Sequence, residues 1–169
     1  PTDVLADVNF CMTRALDKVF PEAEFDSDQV EVEPGFNVVV HRTLATDLPQ
    51  ISTLPDMLTE AFRVLIKNAV EAIERKDGGG DLWVESCLVD DSVIKISIRD
   101  NGVGIKSENL IKIFDMGWTT KEGRGMGFGL FWTKDYIEGL GGSIKVESVW
   151  QEGTTCWIDI PVPENPDDK

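Results

Sequence analysis

The sequence predicts an α+β fold, a two-layer α/β sandwich with a mixed sheet and helices on one face. Two observations predict it. One is a long apolar stripe at helical spacing from Pro55 to about Lys76; the other is two pairs of β-rich runs, 81–99 and 143–160, each broken by a turn signal. A helix with one apolar stripe and a sheet with one apolar face bury those surfaces on each other, which gives two layers. With 169 residues, 41% of them hydrophobic, the chain suits one sizeable core rather than two. One domain over residues 1–163 and a polar tail over 164–169 are expected.

In chain order, Leu5, Val8, Met12, Leu16 and Val19 recur at three- and four-residue spacing, so an amphipathic helix ended by Pro21 comes first. Acidic residues follow; Asp26 to Glu33 reads as solvated surface, and Phe36 to Val40 as a short strand. Leu58, Ala61, Phe62, Leu65, Ile66, Ala69, Ala72 and Ile73 form the stripe of the long helix, which Gly78-Gly79-Gly80 stops. Asp81 to Val89 and Val93 to Arg99, joined by Asp90-Asp91-Ser92, form a hairpin that delivers Asp100 at its end. Residues 105–124 lack a clean period, and a loop of that length in a compact domain is usually functional. A glycine-rich run leads into a helix over about 126–138, which Gly139, Gly141 and Gly142 close. Strands at Ser143 to Val149 and Thr154 to Ile160 then flank a turn at Gln151-Glu152-Gly153, and Pro161 and Pro163 end the fold.

Charge excludes one class of function and sets a condition on another. With 16 basic against 31 acidic side chains the net charge is -15, which opposes nucleic-acid binding through phosphate contacts. An anionic nucleotide needs local help from magnesium, backbone N–H groups and a few cations. Cys11, Cys87 and Cys156 are widely spaced with no CxxC pair, as expected of buried reduced thiols in a cytoplasmic protein. No apolar run reaches membrane-span length, and Pro1-Thr2-Asp3 lacks the character of a signal peptide. The abrupt start inside a helical pattern suggests a piece excised from a longer chain.

Three motifs carry chemistry. Asn68 lies about 90° from the centre of the long helix's apolar stripe, at the rim of the buried face. A carboxamide oxygen there suits a magnesium ion that also holds phosphates, although a lone Asn reads more simply as solvated or capping. Asp100-Asn101-Gly102-Val103-Gly104 directly follows a strand, so a carboxylate able to accept from an exocyclic amine sits beside glycines that let backbone approach a flat ligand. Alone, that motif also fits an Asx turn. Gly123-Arg124-Gly125-Met126-Gly127-Phe128-Gly129-Leu130 opens a helix with alternating glycines, an arrangement that binds phosphate through backbone N–H groups or serves as a hinge. It is neither a Walker A loop nor a Rossmann fingerprint.

The order is more specific than any one box. Asn68, then DxGxG, then Phe114 and Thr119-Thr120-Lys121, then the glycine run, then Gly153-Thr154-Thr155, resembles the nucleotide site of the Bergerat-fold ATPases. Nearest in pattern is the catalytic and ATP-binding domain of two-component sensor histidine kinases, over about Asp3 to Pro161. That resemblance implies ATP and Mg²⁺ as cofactors, Asn68 on the metal, Asp100 on the adenine amine, and Gly102, Gly104 and Ile105 against the base. Phe114 to Arg124 would be the lid, with Lys121 and Arg124 acting with Asn68 in catalysis. Gly123, Gly125, Met126, Gly127, Phe128, Gly129 and Leu130 would surround the phosphates, Glu71 and Ala72 would line the site, and Thr155 would lie near the base.

Two positions depart from the common pattern. Val64 stands where many of these kinases carry a second Asn and gyrase-like ATPases a water-activating Glu, which disfavours a self-contained hydrolase. Glu71 replaces a frequent Lys, leaving Lys67 or Arg75 as the helix's phosphate contact; this acidic residue and the Thr-Thr-Lys lid look like the nitrogen-regulator subgroup. His41, the sole histidine, lies at the end of the short strand, before Arg42-Thr43-Leu44, and reads as a packing or surface residue rather than the phosphoacceptor. The expected partners are therefore a dimerisation domain carrying the acceptor histidine, outside this chain, and indirectly a response regulator, with no nucleic acid and no membrane contact. The alternatives are an anti-sigma-type serine kinase, an ATP-driven conformational ATPase, and a degenerate binding module. The five tryptophans are dispersed and read as core or lid packing.

Overall fold

A computed structural model describes residues 4–32, 37–118 and 129–163. Its elements are β1 (Leu5–Ala6), α1 (Val8–Val19), β2 (Gln29–Val32), β3 (Val38–Leu44), β4 (Ile51–Ser52), α2 (Pro55–Glu74), β5 (Gly80–Val89), β6 (Val93–Asp100), α3 (Ser107–Leu110), α4 (Gly129–Gly139), β7 (Ser143–Val149) and β8 (Gly153–Pro161). Six strands form one sheet in the order β2-β3-β5-β6-β8-β7, with β3 and β5 parallel and the other neighbours antiparallel. The expected two-layer sandwich with a mixed sheet is the one observed.

Period-2 alternation gives the sheet its two faces. Val38, Val40, Leu82, Val84, Ile94, Ile96, Ile98, Cys156, Ile158 and Ile160 are buried beneath the helices. They join Met12 and Leu16 of α1, Leu58, Phe62, Ile66 and Ile73 of α2, and Ile137 of α4 in a single core. The opposite face carries a row read from the register, His41, Trp83, Arg99, Thr155 and Glu147. In that row the His41 ring stacks on Trp83 at 5.2 Å, the Arg99 guanidinium lies 4.0 Å above the same indole, and His41 Nε2 is 2.8 Å from Asp81 Oδ1. His41 is thus a packed residue in mid-strand, because β3 runs on to Leu44 rather than stopping at Val40.

The first helix begins at Val8, three residues later than its apolar spacing suggested. Leu5–Ala6 instead pairs antiparallel with Ile51–Ser52, and Asp7 takes the N-cap, its Oδ1 accepting from the Phe10 N–H at 2.9 Å. Asp7→Ala should lower stability by about 1 kcal/mol, read as an earlier urea midpoint with unchanged slope. A cap is local, so a loss of several kcal/mol would show that Asp7 holds more than the helix.

Residues 29–32 form an edge strand where only solvated surface was expected; acidic Glu31 suits an edge that must stay unpaired on its outer side. Phe36 lies outside the described residues. Cys11 and Cys156 are buried but Cys87, on the open sheet face, is exposed, contrary to expectation. Among the described residues no helix is long and apolar enough to cross a membrane.

Candidate nucleotide site

A cavity of about 350 Å³ opens between α2 and the ends of β6 and β8. Helix α2 contributes Asn68, Glu71, Ala72 and, just past its end, Arg75. Its starting proline at N1 and its apolar stripe lock α2 onto the sheet, and Asn68 is carried at the rim of that stripe. Strand β6 ends in Asp100 at the cavity floor, and Ile98, Val146, Thr154 and Cys156 supply floor from the neighbouring sheet positions.

Asp100 is only 6% exposed. Burial pushes its carboxyl up to about 6, against the opposing effects of N–H bonds from Gly102 and Thr154 and the nearby Lys76 charge. The Gly102 N–H donates to Asp100 Oδ1 at 2.8 Å, so the carboxylate is oriented by its own loop while still facing the cavity. At about 6 it is mostly ionised at neutral pH, and an ionised carboxylate is an acceptor only, suited to an amine donor. Cys156 on the same floor is pushed up to about 12 by burial and stays a neutral thiol.

The DxGxG loop is wedged between two elements. A Cβ on Gly102 would lie 2.5 Å from the Ala72 carbonyl oxygen and 2.7 Å from the Ile73 nitrogen, so the loop can touch the α2 backbone only if residue 102 has no side chain. Gly104 has φ +73, and a Cβ there would collide with the Val149 carbonyl. The Val103 N–H donates to Ala72 O at 3.0 Å, and the Ile105 N–H to Ser148 Oγ at 2.7 Å. A flat ligand is thereby offered a wall of backbone rather than side chains.

Of the residues singled out in the sequence, Asn68, Glu71, Ala72, Asp100, Gly104, Ile105 and Leu130 come together on the cavity. Gly129 opens α4 against Val64, whose Cγ1 would be 3.0 Å from a Cβ there. Two expectations shift by one residue. Thr154 lines the cavity and Thr155 does not, because Thr154 pairs with Asp100 and shares its sheet face while Thr155 pairs with Arg99 on the open face. Ile113 lines the cavity, whereas Phe114 lies under the Lys134 ammonium, 5.0 Å from its ring centroid. Thr119, Thr120, Lys121, Gly123, Arg124, Gly125, Met126, Gly127 and Phe128 lie outside the described residues.

Trp118, within the segment expected to be the lid, lines the cavity; sequence reasoning missed Trp150, Lys106 and Asn109, which line it too. Trp150 sits on the β7–β8 turn with Lys106 Nζ 5.0 Å from its ring centroid. Hydropathy carries no signal for them, since they are single residues in turns or, for Lys106 and Asn109, at and within the four-residue helix α3. Lys106 and Arg75 supply the local positive charge that the overall balance demanded. Among the described residues no group of three or more His, Cys, Asp or Glu could hold a metal. Asn68 and Glu71, three apart on α2 and both on the cavity, are the oxygen donors on that helix, a sparse set that suits Mg²⁺ shared with phosphates and waters. Glu60, two turns before Asn68 on the same helix, is paired with Arg63 at 2.6 Å, which lowers its carboxyl below the usual range.

The family described as histidine kinase-, DNA gyrase B-, and HSP90-like ATPase matches residues 53–164. Sporulation kinase E of Bacillus subtilis (strain 168) is 34% identical over 133 residues, 79% of this chain and 18% of that protein. The chain spans 18% to 24% of the length of the curated relatives it matches. Among solved structures, the mycobacterial sensor histidine kinase MprB superposes with a TM-score of 0.74 at 21% identity, covering 96% of this chain and 100% of that one. Full-length ShkA in complex with AMPPNP gives 0.72 at 18% identity, covering 96% of this chain and 32% of that one. At these identities the structural likeness speaks for the fold.

Proposed function

Because the chain belongs to the family of histidine kinase-, DNA gyrase B- and HSP90-like ATPases, we propose that it binds Mg-ATP in the α2–β6–β8 cavity and donates the γ-phosphate to a histidine on a separate dimerisation domain of a sensor kinase. The observation that carries the reading is Asp100, a buried carboxylate at the floor of a cavity of nucleotide size, aimed at where an exocyclic amine would lie. Residues 1–163 act as one catalytic domain, with the acceptor domain and, downstream, a response regulator as partners. Its place is the cytoplasm, away from membrane and nucleic acid.

Each residue has a share in the work. Asp100 accepts from the adenine amine, and Gly102, Gly104 and Ile105 offer the base a backbone surface. Asn68, with Glu71 beside it, holds the cation that neutralises the phosphates when bound. The glycine run through Gly125, Gly127 and Gly129 donates backbone N–H groups to phosphate oxygens, and Lys121 and Arg124 bring positive charge to the terminal phosphate. In the transfer the bond from the γ-phosphorus to the ADP oxygen breaks with its electron pair leaving on ADP, a phosphorus–nitrogen bond to the imidazole forms, and the imidazole's proton passes to solvent water. The protein's part is alignment and charge stabilisation.

An ATP-driven conformational ATPase is the second reading. Val64 occupies the position for a water-activating base, and the Arg63-paired Glu60 is not on the cavity, which leaves Glu71 as the only such carboxylate on α2. Titrating the chain with AMPPNP by calorimetry, with and without Mg²⁺, tests the reading. The wild type should bind, and Asn68→Ala should lose roughly tenfold in affinity and most of its magnesium dependence. No binding by the folded chain would refute the site. Rapid release of free phosphate from ATP without an acceptor would favour the second reading.

A further inference from the structure

Lys76 lies just past the end of α2 and does not line the cavity, yet it holds two of the cavity's walls together. Its Nζ donates to the Asn101 carbonyl at 3.1 Å and to the Gln151 carbonyl at 3.0 Å. These carbonyls belong to the DxGxG loop and to the β7–β8 turn, segments fifty residues apart in sequence that leave the sheet side by side. Resting on the nucleotide-site reading, we propose that Lys76 is a positioning residue: its ammonium clips the loop after β6 to the β7–β8 turn and so holds Asp100, Gly102 and Trp150 in the arrangement that receives the base.

Several contacts converge on that clip. Asn101 is tied to the start of β5, its Oδ1 accepting from the Asp81 N–H at 2.7 Å and its Nδ2 donating to Asp81 Oδ2 at 3.1 Å. Gln151 sits at φ +70, in the left-handed region that is unfavourable for a residue with a side chain, and its N–H donates to Val103 O. The turn thus needs outside anchorage to stay over the loop; the Val103 carbonyl and the Lys76 ammonium hold the Gln151 backbone, and the Lys106 ammonium lies over the Trp150 ring. Trp150, next in the chain, goes where the turn goes. A lysine supplies what the place requires, several donors on one point charge, in reach of two carbonyls whose dipoles converge on it.

The test uses the chain with Lys76→Met, which keeps the stem and removes the donors, and Lys76→Arg, which restores them. AMPPNP with Mg²⁺ is titrated between about pH 5 and pH 8, and backbone amide exchange is followed on the free chain. The Met variant should bind about tenfold more weakly, and its binding should fall away at higher pH than the wild type's, because Lys76 favours the ionised form of Asp100. Other titratable or charged groups on the cavity, Glu71, Arg75, Lys106, Glu108 and Cys156, are unchanged in all three proteins. The Arg variant should recover most of the affinity. Amides of Val103 and Gln151 should exchange faster in the Met variant while that of Ile96, central in β6, does not.

Equal binding by wild type and Lys76→Met overturns the proposal, as does an Arg variant no better than Met or exchange accelerated evenly through the sheet. Failure of the wild type itself to bind defeats the nucleotide-site reading and this proposal with it.

Discussion

Asp100→Asn is expected to weaken binding of AMPPNP by roughly a hundredfold while making the free chain more stable at pH 7. The substitution keeps the shape. Its Oδ1 still accepts the Gly102 N–H, but an NH₂ group then faces the cavity, and a donor meets the donor of the adenine amine. The stability gain follows from linkage. Asp100 titrates at about 6 in the fold against 3.8 for an ordinary aspartate, so the folded state holds the proton more tightly than the unfolded one. This group's contribution is therefore most favourable below about pH 4, and stability is lost as pH rises from there to about 6. The rise from 3.8 to about 6 corresponds to about 3 kcal/mol at pH 7, an upper bound on the gain, because Asn has one acceptor oxygen for the two N–H groups of Gly102 and Thr154. Urea denaturation of both proteins should show the Asn variant ahead at pH 7 and the gap closing as pH is lowered from about 6 to 4. An Asn variant that binds nucleotide like the wild type would refute the role given to the carboxylate. A gap independent of pH would mean that burial is not what separates the two.

Gly102→Ala should destabilise the fold by about 3 kcal/mol and remove nucleotide binding with it. The added methyl meets the α2 backbone at Ala72 and Ile73 rather than the end of a flexible side chain, so relief requires the loop or the helix to move. Moving the loop breaks the Val103 bond to Ala72 and turns Asp100, whose Oδ1 is held by the Gly102 N–H itself. Thermal unfolding and calorimetry on one preparation separate the two effects. A variant of wild-type stability that binds normally would show that the loop has room the structure denies it.

Function here works against stability at one point. Asp100 is a buried carboxylate whose loop supplies too few donors to offset its burial, since its titration remains raised in spite of two N–H bonds and a lysine. On the proposed reading, a ligand amine would supply another. Bound nucleotide should therefore stabilise the chain most at pH values where Asp100 is ionised.

Much of this protein is readable along the chain, because contrast between apolar and polar neighbours is a local property. The stripe from Leu58 to Ile73 defines α2 and its rim residue Asn68, and the alternation in 80–100 and 143–161 defines both hairpins and leaves Asp100 at a strand end. The order of the motifs was enough to indicate an ATPase fold, which the family match bears out. What stayed hidden is what depends on where distant segments meet. Leu5 fits a helical stripe but pairs with Ser52, since backbone partners 47 residues along the chain outweigh one turn of helix. Thr154 rather than Thr155 faces the cavity, because period-2 alternation makes a one-residue difference in register a change of face. Trp150 becomes a wall and Lys76 a clip through the β7–β8 turn, a site that no single segment contains. The sequence determined the elements and the chemistry they carry; tertiary packing decided which side chains share a cavity, because that is set by register and by close approach of backbones.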